Sequence, residues 1–401
     1  MPSFTYLHLP RFRFDDSSNL RWLYAIRVNR NLIAQFSFFF LPIYLFLLGK
    51  DQVFLSQGLS PVQRGVAFIA LYFLIARLTS LVLSVWLGKV ICSMGMKWSF
   101  FWGHVFFIGL MGLLIWGYMN PQVVLWSAVV YGVQVHLYWD AYHTLISKLI
   151  HKKNLAENLG LLHFIVQLVS ALTPAIGGLV AATYDYRGLF AISIFWSIFG
   201  AILSLRITDE SRYSQPSWRE FGQWLSEKRF IVLSISFFGR VFYDLALLIW
   251  PLYVFIILGT VEKVGFLYSA SLTAALLMWL VVGYYIDHHR GRRPFLISGG
   301  ALSVLWVLRS MAVNAWTIGF SDLLDKLVSN FHWMFFDTIM FKRGQGDKAF
   351  SYFIYREAIV SLAEMIFWLT AASVFLLSGR WLTIFGLGSI GVLLSLLIRD
   401  E

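Results

Sequence analysis

The chain has 401 residues, of which 59% are apolar, 18% aromatic and only 13% charged. Soluble domains carry about 25% charged residues, so this composition excludes a water-soluble enzyme. The net charge of +11 would suit a nucleic-acid binder, but the basic residues fall in alternate gaps between long apolar blocks. That distribution marks membrane topology and excludes nucleic acid as the partner. Cys92 is the single cysteine, which leaves no intrachain disulfide and no cysteine cage for a metal. No phosphate-binding glycine loop occurs either, and neither a cofactor nor a metal is expected.

Residues 1–30 show no signal-peptide pattern and read as a cytoplasmic segment. Within them, Leu20 to Ile26 form a partly amphipathic stretch expected to lie on the inner membrane surface. Apolar blocks then follow at 32–49, 65–88, 98–119, 122–147, 157–182 and 188–206. Each is long enough to cross about 30 Å of hydrocarbon as a helix. Residues 207–229 are a polar link, with Ser217 to Leu225 as a candidate interfacial helix. Six more blocks lie at 230–258, 264–286, 294–312, 316–341, 350–378 and 381–398. The ten-residue alternation of a membrane barrel is absent. The expected division is a bundle over 31–206, the link, and a second bundle over 230–401. Lys50, Arg64, Arg187, Lys263 and Arg380 are the only basic residues in loops on the far side. Both ends are therefore expected on the cytoplasmic face of a plasma or inner membrane.

Polar residues inside these blocks are costly in hydrocarbon and mark a pathway. Asn31 and Gln35 open the first block. The fourth carries His136, Asp140 and His143 on one helix face, with Arg77 of the second as the expected partner of Asp140. In the fifth, His163, Gln167, Ser170 and Pro174 share a face, and Pro174, Gly177 and Gly178 permit close helix packing. Arg240 and Asp244 of the seventh are spaced for an i,i+4 pair. Arg309 is expected to snorkel from the outer end of the ninth. In the tenth, Asp322, Asp325, Ser329 and His332 form one stripe, with Lys326 placed to pair with Asp322. Arg356 and Glu357 read as structural residues near the inner surface, whereas Glu364 sits near mid-membrane in the eleventh. A lasting pair of Glu364 with Arg240 is the alternative to a titrating role.

The chain also repeats itself. Pro42-Ile-Tyr44 answers to Pro251-Leu-Tyr253, Gly88 to Gly283, and Tyr138-Trp139-Asp140 to Phe335-Phe336-Asp337. Three pairs in the same order describe two parallel halves. The turn running from Gly283 through Asp287 and Gly291 to Arg292 and Arg293 resembles the loop signature of the major facilitator superfamily, Gly-x-x-x-Asp-Arg-x-Gly-Arg-Arg. His288 stands where an arginine is usual, and one extra residue precedes Gly291. The equivalent turn after Gly88 has lost its acid and arginines, Cys92 standing in the acidic position. Gly160, Pro174, Gly177 and Gly178 partly match the antiporter signature of that family, with Val169 and Thr173 departing from it.

The resemblance implies an all-α membrane protein with twelve transmembrane helices in two pseudo-symmetric six-helix bundles. It implies a secondary active transporter working by alternating access, proton-coupled, with export favoured. The partners would be a small-molecule substrate, protons and the lipid bilayer, and the protein would be a monomer. Asp325, Ser329, His332, Glu364, His136, Asp140, Gln167, Arg240 and Asp244 are the expected substrate and proton pathway. Gly88, Gly283 and Asp287 would belong to the gating loops, with Asp337 as the gate partner of Arg292 or Arg293. The rival readings are a membrane-embedded lipid-modifying enzyme centred on His332 and Asp337, and a non-transporting sensor on the same fold.

Overall fold

The protein is described by a computed structural model covering residues 15, 17–52, 58–208, 213–288 and 292–399. Among these residues there are fourteen α-helices and no strand. The N-terminal half contains α1 (Ser18–Phe36), α2 (Leu41–Gly49), α3 (Pro61–Trp116), α4 (Pro121–Leu149), α5 (Leu155–Ser170) and α6 (Thr173–Ser204). After a short helix, α7 (Trp218–Ser226), come α8 (Lys228–Leu258), α9 (Val261–Ala274), α10 (Met278–His288), α11 (Arg293–Arg309), α12 (Ala315–Arg343), α13 (Ala349–Ser378) and α14 (Leu382–Ser395).

Local chemistry sets the helix ends. Ser60 and Gln63 form a capping box ahead of α3, and Asn314 and Thr317 do the same for α12. Gly259 and Gly379 end α8 and α13 at φ 78° and 66°, a left-handed conformation that glycine takes without a Cβ clash. As one straight rod, the 56 residues of α3 would reach roughly 80 Å, far more than one crossing needs. Gly95, at φ 81°, breaks it into two spans. Asp185, at φ 58°, divides α6 in the same way. Both breaks fall inside gaps expected from hydropathy. Spans one, five and eight are each built from two pieces, α1 with α2, α5 with the start of α6, and α9 with α10. Twelve spans in two six-helix bundles result.

The first span starts earlier than hydropathy suggested. Residues 18–36 are one continuous helix packed along α6, with Leu20, Leu23, Ile26, Asn29, Arg30 and Ile33 buried. The amphipathic stretch at Leu20 to Ile26 therefore does not lie flat on a membrane surface. Its apolar side is covered by protein, which carries Arg27 and Arg30 into the body of the molecule.

The two halves meet along two seams. In one, α3 runs antiparallel to α13, so that Phe73 meets Trp368, Arg77 meets Glu364, Ser80 meets Ser361, and Gly88 meets Ile354. In the other, α5 and α6 run against α10 and α9. A Cβ on Gly160 would lie 2.7 Å from the Trp279 carbonyl, and one on Gly178 would lie 3.0 Å from Cα of Glu262. Gly283 and Gly160 approach each other directly, so both glycines are required by backbone contact. The helices of the first seam are the repeat mates of those in the second.

Candidate functional site

Between the seams lies a cavity of about 240 Å³ that takes residues from both halves. Arg27, Arg77, Trp139, Tyr142, His143 and His163 come from the N-terminal half. Arg240, Asp244, Asp337, Arg356 and Glu357 come from the other.

The charged groups are organised in pairs. Arg77 reaches across the seam and holds Glu364 through two contacts of 2.6 Å, while its third nitrogen is 3.4 Å from Glu357. All three side chains are buried, so each charge depends on the others for compensation. Arg356 lies 3.4 Å from the other oxygen of Glu357. Arg240 bonds Asp244 at 2.8 Å and stands 3.7 Å from Asp337, with its guanidinium 4.4 Å above the Trp333 ring.

One turn from Arg77, Ser80 and Ser361 share a hydrogen bond of 2.8 Å across the same seam. His136 meets the Ser80 hydroxyl at 2.9 Å through Nε2 and Asp140 at 2.7 Å through Nδ1. Asp140 is therefore tied to the opposite half through His136 and Ser80.

Contacts between halves occur on both sides of the cavity. At the end carrying the helix termini Ser18 and Ser395, the Asp287 carboxylate accepts from the Glu157 amide at 2.8 Å and the Ala156 amide at 3.4 Å. That is an acid capping the exposed amides at the start of α5. There also, Ser147 donates to the Gly344 carbonyl at 2.9 Å and Gln345 to the Ile150 carbonyl at 2.9 Å. At the far end, Gln63 donates to the Leu376 carbonyl at 2.7 Å.

Several expected roles need correction. The stripe Asp325, Ser329, His332 turns away from the cavity into the C-terminal bundle. Asp325 lies 3.4 Å from Arg309 and accepts from the Tyr243 hydroxyl, and His332 bonds Ser395 at 2.8 Å while stacking on Phe295. The reason is that α12 has two polar faces, and the one bearing Asp337 is the one that fronts the cavity. Arg309 does not snorkel. It is fully buried between Trp250 and Trp306 and pairs with Asp322 at 3.1 Å, which leaves Lys326 to Asp325 and the Tyr268 hydroxyl.

Asp337 pairs with Arg240 and not with Arg292 or Arg293. Arg292 instead donates to the Leu396 carbonyl, at the base of the C-terminal bundle. Asp140 pairs with His136, because Arg77 is taken by Glu364, and Glu364 is accordingly not the partner of Arg240. Gln167 bridges the second seam, donating from α5 to the Leu272 carbonyl of α9 and accepting from the Trp279 indole of α10. The expected Arg240–Asp244 pair is present, and Arg356 and Glu357 line the cavity. His332 and Asp337 point to different neighbours and form no common centre.

Arg27 and Arg30 were not anticipated. The apolar spacing Leu20, Leu23, Ile26, Ile33 carries the helical pattern straight through them, and that continuity was the available signal.

The model of the Major Facilitator Superfamily matches residues 30–346. Among solved structures, the fold is similar to that of the human organic anion transporter MFSD10, at TM-score 0.72 and 12% identity over 95% of this chain and 99% of the other. It is also similar to the E. coli fucose:proton symporter FucP, at TM-score 0.63 and 10% identity over 94% and 97% of the two chains. A search of curated proteins finds no match.

Proposed function

Because the chain belongs to the Major Facilitator Superfamily, we propose that it is a secondary active transporter carrying a small organic solute through the central cavity by alternating access. One observation carries this reading. The cavity is lined from both halves, and the halves are joined at its edge by a buried ion pair across the α3–α13 seam, Arg77 with Glu364. An opening at either end must rearrange that seam.

A proton is the proposed coupling ion. Protonating Glu364 removes the charge that holds Arg77, and loading Glu364 would thereby release one half from the other. The names of the two structural neighbours, an organic anion transporter and a fucose:proton symporter, support an organic solute and a proton. The partial antiporter pattern at Gly160, Pro174, Gly177 and Gly178 favours export. In the cell the protein would be a monomer in the plasma or inner membrane, with both termini cytoplasmic. A lipid-modifying enzyme is the weaker reading, since His332 and Asp337 do not converge.

The test uses proteoliposomes loaded with a pH-sensitive dye and exposed to a panel of small organic solutes. At least one solute should move protons through the wild type and none through Glu364→Gln. Equal proton movement in both would remove Glu364 from the coupling.

A further inference from the structure

A second cavity, of about 180 Å³, adjoins the central one and shares Arg27 and Trp139 with it. Its remaining walls are Arg30, Ala34, Phe38, Phe73, Tyr131 and Leu248. No carboxylate lines it. Arg30 is 3% exposed, and among the described residues it has one hydrogen bond, from Nη2 to Gln134 at 3.3 Å. Its Nε and Nη1 have no partner there. The guanidinium instead lies 4.5, 5.2 and 5.4 Å from the ring centres of Phe107, Tyr138 and Phe38. Ring faces recover part of the cost of burying a cation, but a buried arginine without a carboxylate stays under-compensated.

The charge around the two cavities points the same way. Arg77, Arg240 and Arg356 stand among the four carboxylates of Glu357, Glu364, Asp244 and Asp337. His136 and Asp140 form a pair of their own. Arg27, 5.1 Å over the Trp139 ring, and Arg30 make no ion pair with a described carboxylate; with the four carboxylates ionised and His136 and Asp140 sharing one proton as a neutral pair, the region carries one positive charge in excess. A single negative charge would balance it.

We infer that Arg30, helped by Arg27, is the anion-recognising end of the solute site, and that the solute is a small monocarboxylate with an aromatic or similarly apolar body. The inference rests on the transporter reading for its purpose and on the cavity alone for its chemistry. A planar guanidinium suits a carboxylate, and Phe38, Phe73, Tyr131 and Trp139 give the cavity an aromatic wall for the rest of the molecule. Both cavities are small beside the roughly 300–1,000 Å³ of drug-sized sites, which favours a compact solute.

The probes are benzoate, phenylacetate and indole-3-acetate at millimolar concentration, each paired with its uncharged amide. Thermal unfolding of the purified full-length protein in detergent is the readout. At least one acid should raise the Tm of the wild type while its amide does not. Arg30→Met should unfold at a higher temperature than the wild type without ligand, because an unpaired buried charge is gone. It should also bind the acid at least about tenfold more weakly. Arg30→Lys, which keeps the charge and loses the planar fork, should weaken binding without that gain in stability. The inference is overturned if no acid stabilises the protein, if acid and amide act alike, if Arg30→Met binds as the wild type does, or if it is less stable without ligand. Binding is read without transport, so acid binding without transport would reject the transporter and leave the anion site standing.

Discussion

Arg77 and Glu364 hold each other through two 2.6 Å contacts across the line where the two halves meet, and both side chains are buried. This contact links the fold to the proposed mechanism, since it cannot persist unchanged when the halves separate.

The first prediction concerns that pair. Glu364→Gln should permit counterflow exchange and abolish accumulation driven by a pH gradient. Arg77→Met should lower unfolding stability by about 3–5 kcal/mol, because it strands buried Glu364 without its cation and leaves Glu357 with Arg356 alone. Adding Glu364→Met should return part of that loss, giving a non-additive cycle by thermal unfolding. Additive losses would mean that the two residues do not act as a unit.

A second prediction concerns the glycine seam. Gly160→Ala places a methyl 2.7 Å from the Trp279 carbonyl, and Gly283→Ala places one 2.7 Å from the Ala156 carbonyl. Each should destabilise by about 1–3 kcal/mol and impair transport. Gly109→Ala has nothing within 4 Å and should be neutral, or more stable by about 0.5–1 kcal/mol. A similar loss at all three positions would argue against the close approach of spans five and eight.

The basic turn supplies a third. Asp287 caps the start of α5 and Arg292 holds the Leu396 carbonyl, while Asp337 belongs to Arg240. Effects of Arg292→Ala and Asp337→Asn on transport should therefore be additive in free energy, within about 0.5 kcal/mol. Asp287→Asn should weaken the cap by about 1 kcal/mol and loosen the end that holds the termini. A strong non-additivity between Arg292 and Asp337 would restore them as a gate pair.

The fourth prediction is topological. In a Cys92→Ser background, cysteines at Ser214 and Asp347 should resist impermeant maleimide in intact cells, and one at Asp51 should react. Labelling of the first two from outside would reverse the orientation.

The span pattern was legible because crossing length, charge asymmetry and turn residues act locally. Gly95, Gly259 and Gly379 end or break helices through their own backbone angles, with no help from distant contacts. The repeat of Gly88 in Gly283 likewise announced the two halves. The site was legible only in part. Arg240 with Asp244 followed from i,i+4 spacing, but Arg77 with Glu364 joins residues that only packing brings together. On α12 both the Asp325 and Asp337 faces are polar, and the neighbours that surround the helix decide which one fronts the cavity. Arg27 and Arg30 were hidden by the drop in hydropathy they themselves cause, though the apolar residues around them keep helical spacing.

Alternating access is the central claim, and distances between spin labels test it most directly. Labels on cysteines at Lys148 and Asp347 report the end that holds the termini, and labels at Asp51 and Arg380 report the far end, both in the Cys92→Ser protein. The account predicts two distances for each pair, with populations that shift in opposite directions as pH is lowered or a solute that binds is added. A single distance at both ends, unchanged by either, would contradict it.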